Sequence, residues 1–269
     1  MSHLCEALCL PALSLSSPKL LNKMQADDIG LKEFADCLKL DPGLCARLLR
    51  VANSPFFGVS GQISSVEETV MLLGMRRTRQ FVTLEVLKNL LQRPPWDQVD
   101  LKGFWQRAVV MAACADALAH RVGFTDCDAF TAGIFYNVGC LALLPQAPTD
   151  YLSALSSGRS NQALLTLEQM LFETNHADMG SQVLAQWNFP QTMCVAVGTQ
   201  YMQPFCDHSV LQQVMQFSHV VLSNDFQPSA YHASLYFSLG LETWKDKDYR
   251  GLLEAVHEQF EQWKTLLGM

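Results

Sequence analysis

The sequence predicts an all-α protein that consists of two helical lobes. Apolar residues recur at spacings of three and four along almost the whole chain, and no segment alternates as a half-buried strand would. The pair Pro94-Pro95 interrupts this pattern, and proline cannot continue a helix. We therefore expect an N-terminal lobe over residues 1–97 and a second lobe over residues 98–269.

The first helices are marked by their caps. Residues 31–40 (LKEFADCLKL) place their apolar side chains on one face, and Asp41-Pro42 then provides an N-cap and a first helical residue. That helix should end near Asn53-Ser54, because the residue before a proline disfavours the α region. Residues 54–64 follow as a loop, and the short side chains of Asn53 and Ser54, at the end of the helix, should hydrogen-bond the local backbone.

The next helix begins at a capping box formed by Ser65 and Glu68. Gly74 should end it as a left-handed cap, and a longer helix should reach Leu91.

The second lobe begins with a strong helix over residues 101–121, which Gly123 closes. Asp126 or Asp128 should cap one continuous helix that carries residues 129–143 (AFTAGIFYNVGCLAL). Apolar spacing predicts further helices at about 149–157, 161–173, 177–188, 190–202, 208–224 and 246–267.

Composition restricts the function. Only 17% of the 269 residues are charged, against about 25% in typical soluble proteins, which indicates a large buried core. The net charge of −7 disfavours nucleic-acid binding, since an acidic chain lacks the positive field that attracts phosphates. Arg76, Arg77 and Arg79 form the one basic cluster, and they are read first as a solvated helix face.

Nine cysteines occur without a C-x-x-C pair, which is typical of reduced, buried thiols in a cytosolic protein. Cys5 and Cys9 lie one helical turn apart but lack a second ligand pair. No signal peptide is evident, and no run of about 18 apolar residues is apparent, so neither secretion nor a membrane span is expected. The predicted location is the cytoplasm.

Several segments together resemble one known family. Residues 40–82 (LDPGLCARLLRVANSPFFGVSGQISSVEETVMLLGMRRTRQFV) contain Asp41-Pro42, Asn53-Ser54, Gly58 and Leu73-Gly74 in order. Residues 104–119, 129–143 and 173–190 continue the match. This pattern resembles the HDOD family, regulatory relatives of the HD-type phosphohydrolases, over roughly residues 11–210. The resemblance implies an HD-like helical fold for the second lobe and a bacterial signalling role.

HD-type enzymes hold metal ions with histidines and aspartates, and the resemblance places other residues at those positions. Arg107 stands on or next to the first histidine, and a guanidinium repels a cation. The histidine-aspartate pair falls on Tyr136 and Asn137, which offer a protonated phenol and a neutral amide.

Further positions of the enzyme pattern also differ: Cys140, Gln200, Tyr201 and His219 replace the remaining residues. His176 alone stands where a related histidine is common, and it is read first as a helix cap or a buried, hydrogen-bonded histidine. Asp178 is a candidate partner for Arg107. No catalytic residue, metal ligand or cofactor is therefore expected.

Two classes of function follow. The first is a non-catalytic regulator that contacts other signalling proteins. The second is a sensor in which Arg107, Tyr136, Asn137, His176 and Gln200 converge on a pocket for an anion, such as a nucleotide or a phosphorylated metabolite. Residual phosphohydrolase activity ranks below both.

Two surfaces are candidates for protein contacts. Phe56 and Phe57 should fold onto the core, and the alternative is an exposed aromatic lip beside Arg76, Arg77 and Arg79. The last helix carries an apolar stripe that should pack on the second lobe, with a homodimer seam as the alternative. That stripe consists of Leu253, Val256, Phe260, Trp263 and Leu267.

Overall fold

The computed structural model describes residues 24, 29–54, 57, 63–91, 100–124, 128–156, 161–202, 208–222, 239–241 and 243–267. These residues form α-helices and one short 3₁₀ helix, and none of them lies in a strand. The all-α prediction is confirmed. The predicted lobe boundary falls within residues 92–99, outside the described residues, so the division at 97/98 stays a prediction.

The N-terminal helices are α1 (Leu31–Leu38), α2 (Pro42–Ala52), α3 (Val66–Leu73) and α4 (Met75–Leu91). Their predicted caps are confirmed: the Asp41 side chain accepts a hydrogen bond from the Leu44 N–H, and Ser65 and Glu68 form the capping box. Asn53 fixes the start of the following loop, because its side chain bonds both the N–H and the carbonyl of Ile63.

Gly74 ends α3 in a different way from the prediction. Its φ of 78° is positive, but its ψ of 153° lies far from the left-handed helical region. The chain therefore turns sharply between α3 and α4 without a left-handed cap, and glycine suits this conformation because it lacks a Cβ.

The remaining helices follow in the predicted order. They are α5 (Leu101–Arg121), α6 (Asp128–Phe135), α7 (Val138–Leu143), α8 (Thr149–Ser156), α9 (Asn161–Phe172), α10 (His176–Gln186), α11 (Gln191–Gly198), α12 (Val210–Leu222) and α13 (Asp246–Leu267), with the 3₁₀ helix Leu144–Gln146 after α7. Gly123 closes α5 with φ 75°, and the Phe124 N–H reaches back to the Ala119 carbonyl, as in a Schellman motif.

The helix α5 lies at the centre of the fold. It packs against α6, α12 and α13, and also contacts α4. Small residues permit the close packing: a Cβ added at Gly133 on α6 would lie 2.5 Å from the Ala112 Cα on α5. Buried residues on both sides of the predicted lobe boundary belong to one continuous apolar core.

The last helix, α13, packs on α5 through part of the predicted stripe. Val256 and Trp263 are buried, and Phe260 packs against the core. Leu253 is exposed, and its neighbour Leu252 is buried instead. The side chain of Leu267 lies outside the described residues.

The segment Ala129–Gln146 has the length and apolar character of a membrane span, contrary to the expectation that no such run exists. Of this window, 78% is buried inside the fold. The segment also divides into α6, α7 and the 3₁₀ helix. Its hydropathy therefore reflects a core position, and the predicted cytoplasmic location stays a prediction.

Candidate functional site

Tyr136 and Asn137 lie in a turn between α6 and α7, and the prediction of one continuous helix over residues 129–143 is wrong. The Tyr136 carbonyl accepts a hydrogen bond of 2.8 Å from Gln200 Nε2, which is distant in sequence. The Cys140 N–H bonds the Asn137 carbonyl three residues back. Asn137 favours turns over helix interiors, but the bond to Gln200 depends on the tertiary fold.

The Tyr136 side chain is buried beneath Arg107, which is exposed on α5. Burial raises the pKa of the Tyr136 hydroxyl above its ordinary value, and the neighbouring Arg107 guanidinium offsets only part of this rise. The phenol is therefore neutral at physiological pH. Among the described residues no ion pair joins Arg107 to Asp178, whose carboxylate accepts a hydrogen bond from Asn175 Nδ2 on its own helix end.

Gln200 connects this turn to α12. Its amide nitrogen donates to the Tyr136 carbonyl, so its oxygen must face His219, 2.7 Å from the His219 Nε2. His219 Nε2 therefore carries the proton and donates to Gln200. Burial first, and then the nearby His176, lower the pKa of His219 to about 3, so the His219 imidazole is neutral at physiological pH.

His176 is the first residue of α10, and its side chain is completely buried. Asn175, not His176, caps the helix. Glu168 on α9 binds His176 twice through one carboxylate oxygen, 2.9 Å from the backbone N–H and 2.7 Å from Nδ1. The Tyr151 hydroxyl donates to the other oxygen at 2.7 Å. His176 is thus a buried, hydrogen-bonded histidine.

Tyr201 joins the two halves of this arrangement. Its hydroxyl lies 3.1 Å from His176 Nε2, and its ring centroid lies 4.6 Å from that of His219. Tyr136 also contacts His219, with ring centroids 5.5 Å apart. We call the following residues the polar core: Tyr136, Tyr151, Glu168, His176, Gln200, Tyr201 and His219.

Three of the five predicted pocket residues, Tyr136, His176 and Gln200, belong to the polar core. Arg107 lies at its edge, where it contacts Tyr136. The Asn137 side chain does not join the core, and its buried Oδ1 has no hydrogen-bond partner among the described residues. Whether these residues bind a ligand stays a prediction.

The residues that the HDOD resemblance places at the metal positions of HD-type enzymes offer a poor donor set for a metal ion. The exposed Arg107 guanidinium lies beside Tyr136, so a cation there would be repelled, and a protonated phenol is a poor ligand. The polar atoms of Gln200 and His219 already bind each other. These residues therefore differ from the HD-type pattern in the ligand atoms that they offer, as well as in residue type.

A second group has ligand chemistry. Cys140, Glu168 and His176 are buried, and their ligand atoms lie within 4.8 Å of one another. Burial first, and then the Glu168 charge, raise the pKa of the Cys140 thiol well above its ordinary value, so the thiol is protonated. Glu168 already accepts three hydrogen bonds. Glu168, His176 and Tyr151 thus form a hydrogen-bonded link between α8, α9 and α10, and the Cys140 thiol of α7 lies beside it.

Two members of the polar core, Glu168 and Tyr151, are not among the residues predicted from the sequence. A signal existed for Glu168, since it is the one charged residue in helix α9 (NQALLTLEQMLF). Such a carboxylate must find partners if it is buried. No comparable signal marks Tyr151, which lies in another helix.

The three arginines of the basic cluster have different environments. Arg76 binds Asp116 on α5 at 2.6 Å and contacts His120, and the Arg79 guanidinium lies 5.6 Å from the centre of the Phe34 ring. Arg77 is exposed. Phe57 is half-buried and packs against the core, in the manner expected for a loop folded inward, whereas Phe56 lies outside the described residues.

Comparison with known proteins places this geometry in a family. Residues 10–203 match the family model described as the HDOD domain. An uncharacterized protein of Treponema pallidum is 20% identical over 190 residues, which are 68% of this chain and 36% of that protein. The chain thus spans about a third of the length of this curated relative.

Solved structures show the same fold. A Shewanella amazonensis protein provisionally named a phosphohydrolase has a TM-score of 0.72 at 22% identity, with 96% of this chain and 97% of that chain covered. A Marinobacter aquaeolei protein provisionally named a signal transduction protein has a TM-score of 0.77 at 21% identity, with 100% and 62% covered. An HDOD domain protein of unknown function from Geobacter sulfurreducens has a TM-score of 0.71 at 19% identity, with 96% and 93% covered.

Proposed function

Because the chain belongs to the HDOD domain family, we propose that it is a non-catalytic regulator that acts through contacts with other signalling proteins. The contact between Arg107 and Tyr136 carries this proposal. It puts a positive charge and a neutral phenol where an HD-type enzyme would bind metal ions.

The polar core supports the same proposal. A metal-bound water can act as a nucleophile at neutral pH because several ligands hold the ion and lower the pKa of the water. Here the candidate atoms bind one another: Glu168 holds His176, and Gln200 holds both His219 and the Tyr136 carbonyl. This arrangement stabilises a scaffold, and its function would then reside on the protein surface.

A metal and activity assay tests the proposal. Metal content of the purified protein is measured by mass spectrometry, and hydrolysis of bis-p-nitrophenyl phosphate and of nucleotides is measured with added Mn²⁺ or Mg²⁺. We expect no stoichiometric transition metal and no turnover above the blank. Metal-dependent turnover that is lost in Asn137→Ala, but kept in the exposed-site control Arg50→Ala, would contradict the proposal.

The exposed position of Arg107 favours a second candidate, an anion sensor. The guanidinium lies beside a neutral hydroxyl, and no carboxylate among the described residues forms an ion pair with it, so it is available to a phosphate group. A thermal-shift screen with phosphate and nucleotides tests this. Stabilisation of the native protein that disappears in Arg107→Gln supports anion sensing. If none of these anions stabilises the native protein, the anion-sensor candidate is wrong.

A further inference from the structure

A small cavity lies where three N-terminal helices meet the last helix. Val51 on α2, Leu73 on α3, Phe81 on α4 and Trp263 on α13 form its apolar lining, and Phe57 adds a half-buried ring. The cavity therefore lies between the region of the family signature and the C-terminal helix. None of its lining residues belongs to the polar core.

The size of the cavity restricts its occupant. Its volume is about 60 Å³. Pockets for small-molecule ligands usually measure about 300–1,000 Å³, so a nucleotide does not fit. The space suits one apolar side chain, and its lining offers mainly carbon atoms to such a group.

The rim adds a positive charge and amides. Arg77 is exposed at the cavity, and within the described residues no carboxylate forms an ion pair with it. Arg76 and Arg79, in contrast, are held by Asp116 and by the Phe34 ring. Of the three clustered arginines, Arg77 is thus the one placed to bind an external carboxylate at this site.

The rim is also held in place. Gln259 lines the cavity from α13, and its Nε2 donates to Asp116 Oδ2 at 2.8 Å. Asp116 Oδ1 binds Arg76 on α4 at 2.6 Å. This bridge across α4, α5 and α13 fixes the cavity walls relative to one another, and a preformed site reduces the cost of binding.

We propose that this cavity is the docking site for a partner protein, and that it takes one apolar side chain flanked by an acidic residue. The apolar side chain enters between Phe81 and Trp263, and the neighbouring carboxylate pairs with Arg77. This assignment rests on the proposed function, because it specifies which surface a regulator of this kind would use.

Peptide binding to the full chain tests the assignment. The probes are nine-residue Gly/Ser peptides with a central Asp-Leu-Asp, Asp-Phe-Asp, Asp-Ala-Asp or Lys-Leu-Lys. Methyl NMR follows Val51 and Leu73, which line the cavity. We expect the Leu or Phe peptide with acidic flanks to shift these methyl signals with a Kd of about 1 mM or below. The Ala and Lys peptides should bind at least about tenfold more weakly.

Two variants and a control locate the binding. Arg77→Glu removes the charge partner, and Gln262→Trp places a bulky ring on the exposed rim; each should weaken binding at least about tenfold. Arg250→Glu makes the same charge change at an exposed position on α13, roughly 13 Å along the helix from Gln259, and should leave binding unchanged.

Three outcomes would overturn the assignment. They are no methyl shift with either acidic apolar peptide, binding that Arg77→Glu and Gln262→Trp leave intact, and equal binding of benzoate alone, which would indicate a small-molecule site. None of them depends on metal content or hydrolysis, so failure here remains distinct from failure of the proposed non-catalytic function.

Discussion

At the scale of single residues, Glu168 organises the buried part of the polar core. Its carboxylate accepts hydrogen bonds from Tyr151, from the His176 ring and from the His176 backbone. Each of these donors is buried and would lose its partner if the carboxylate were removed. Buried unsatisfied polar groups cost about 1–3 kcal/mol each, so this one residue has a large effect on stability.

Glu168→Ala should therefore lower the free energy of unfolding by about 3 kcal/mol or more. Gln169→Ala, at an exposed position on the same helix, serves as the control and should change it by less than about 0.5 kcal/mol. Urea denaturation measures both. A loss below about 1 kcal/mol in Glu168→Ala would show that the buried donors find other partners.

His219 makes stability depend on pH. Its pKa is about 3 in the folded protein, below the value of about 6.5 expected in the unfolded chain. The unfolded state therefore binds the proton first on acidification. The contribution of a neutral His219 is complete above pH of about 6.5 and is lost progressively as the pH falls towards 3, with a limiting slope of about 1.4 kcal/mol per pH unit.

Comparison with His219→Gln isolates this effect. The Gln side chain can still donate to Gln200 but does not titrate. As the pH falls from 6.5 to 5.5, the native protein should lose about 1 kcal/mol more unfolding free energy than the variant does. A difference that stays constant over this window would show that His219 does not titrate with the lowered pKa.

At the scale of helices, close backbone contact determines how α7 and α10 pack. A Cβ added at Gly139 on α7 would lie 2.0 Å from the His176 carbonyl oxygen and 2.4 Å from the Gly180 nitrogen. Both neighbours are backbone atoms, which cannot move aside as a flexible side chain can. Gly139 is therefore required for the approach that brings His176 into the polar core.

Gly139→Ala should destabilise the protein by about 1–3 kcal/mol or more through overpacking. Gly251→Ala is the matched control, because that glycine lies inside α13 and an added Cβ meets nothing within 4 Å. It should stabilise by about 0.5–1 kcal/mol, since alanine favours the helix. Thermal unfolding of both variants measures the contrast, and equal effects would contradict it.

The helix scale also shows where sequence reasoning succeeds. Local signals suffice at Asp41, at the Ser65–Glu68 capping box and at Gly123, because each cap is satisfied within a few residues of the chain. They fail at Tyr136-Asn137, where the Gln200 amide occupies the carbonyl that a continuous helix would have used. The bond that stabilises this break comes from a residue 64 positions away, and the turn preference of Asn137 is only a weak local signal for it.

At the scale of the whole molecule, Asp116 connects three helices. It lies on α5 and binds Arg76 on α4 and Gln259 on α13. The helices that it joins are distant in sequence and belong to the two predicted lobes. Asp116 therefore links the N-terminal signature region to the C-terminal helix through a single side chain.

Asp116→Ala should lower the unfolding free energy by about 1–3 kcal/mol, because it leaves Arg76 and Gln259 without their shared partner. Amide hydrogen exchange in α13 should also become faster. Glu254→Ala, an exposed change on α13, is the control and should alter neither measurement. Faster exchange confined to α5 would show that the bridge does not hold α13.

The sequence by itself determined the helical class, nearly all helix positions and the family. It also determined which side-chain types stand at positions 107, 136 and 137, namely arginine, tyrosine and asparagine. Periodicity and caps are local properties, and they are therefore readable along the chain.

Only the tertiary structure decided which polar side chains pair with one another. The contacts among Tyr136, Gln200 and His219, and the burial of Glu168 against His176, join segments that are far apart in sequence. The same holds for the cavity beside Arg77, which α2, α3, α4 and α13 form together. Long-range packing chooses which polar groups pair, and a single sequence does not encode those pairings in any local pattern.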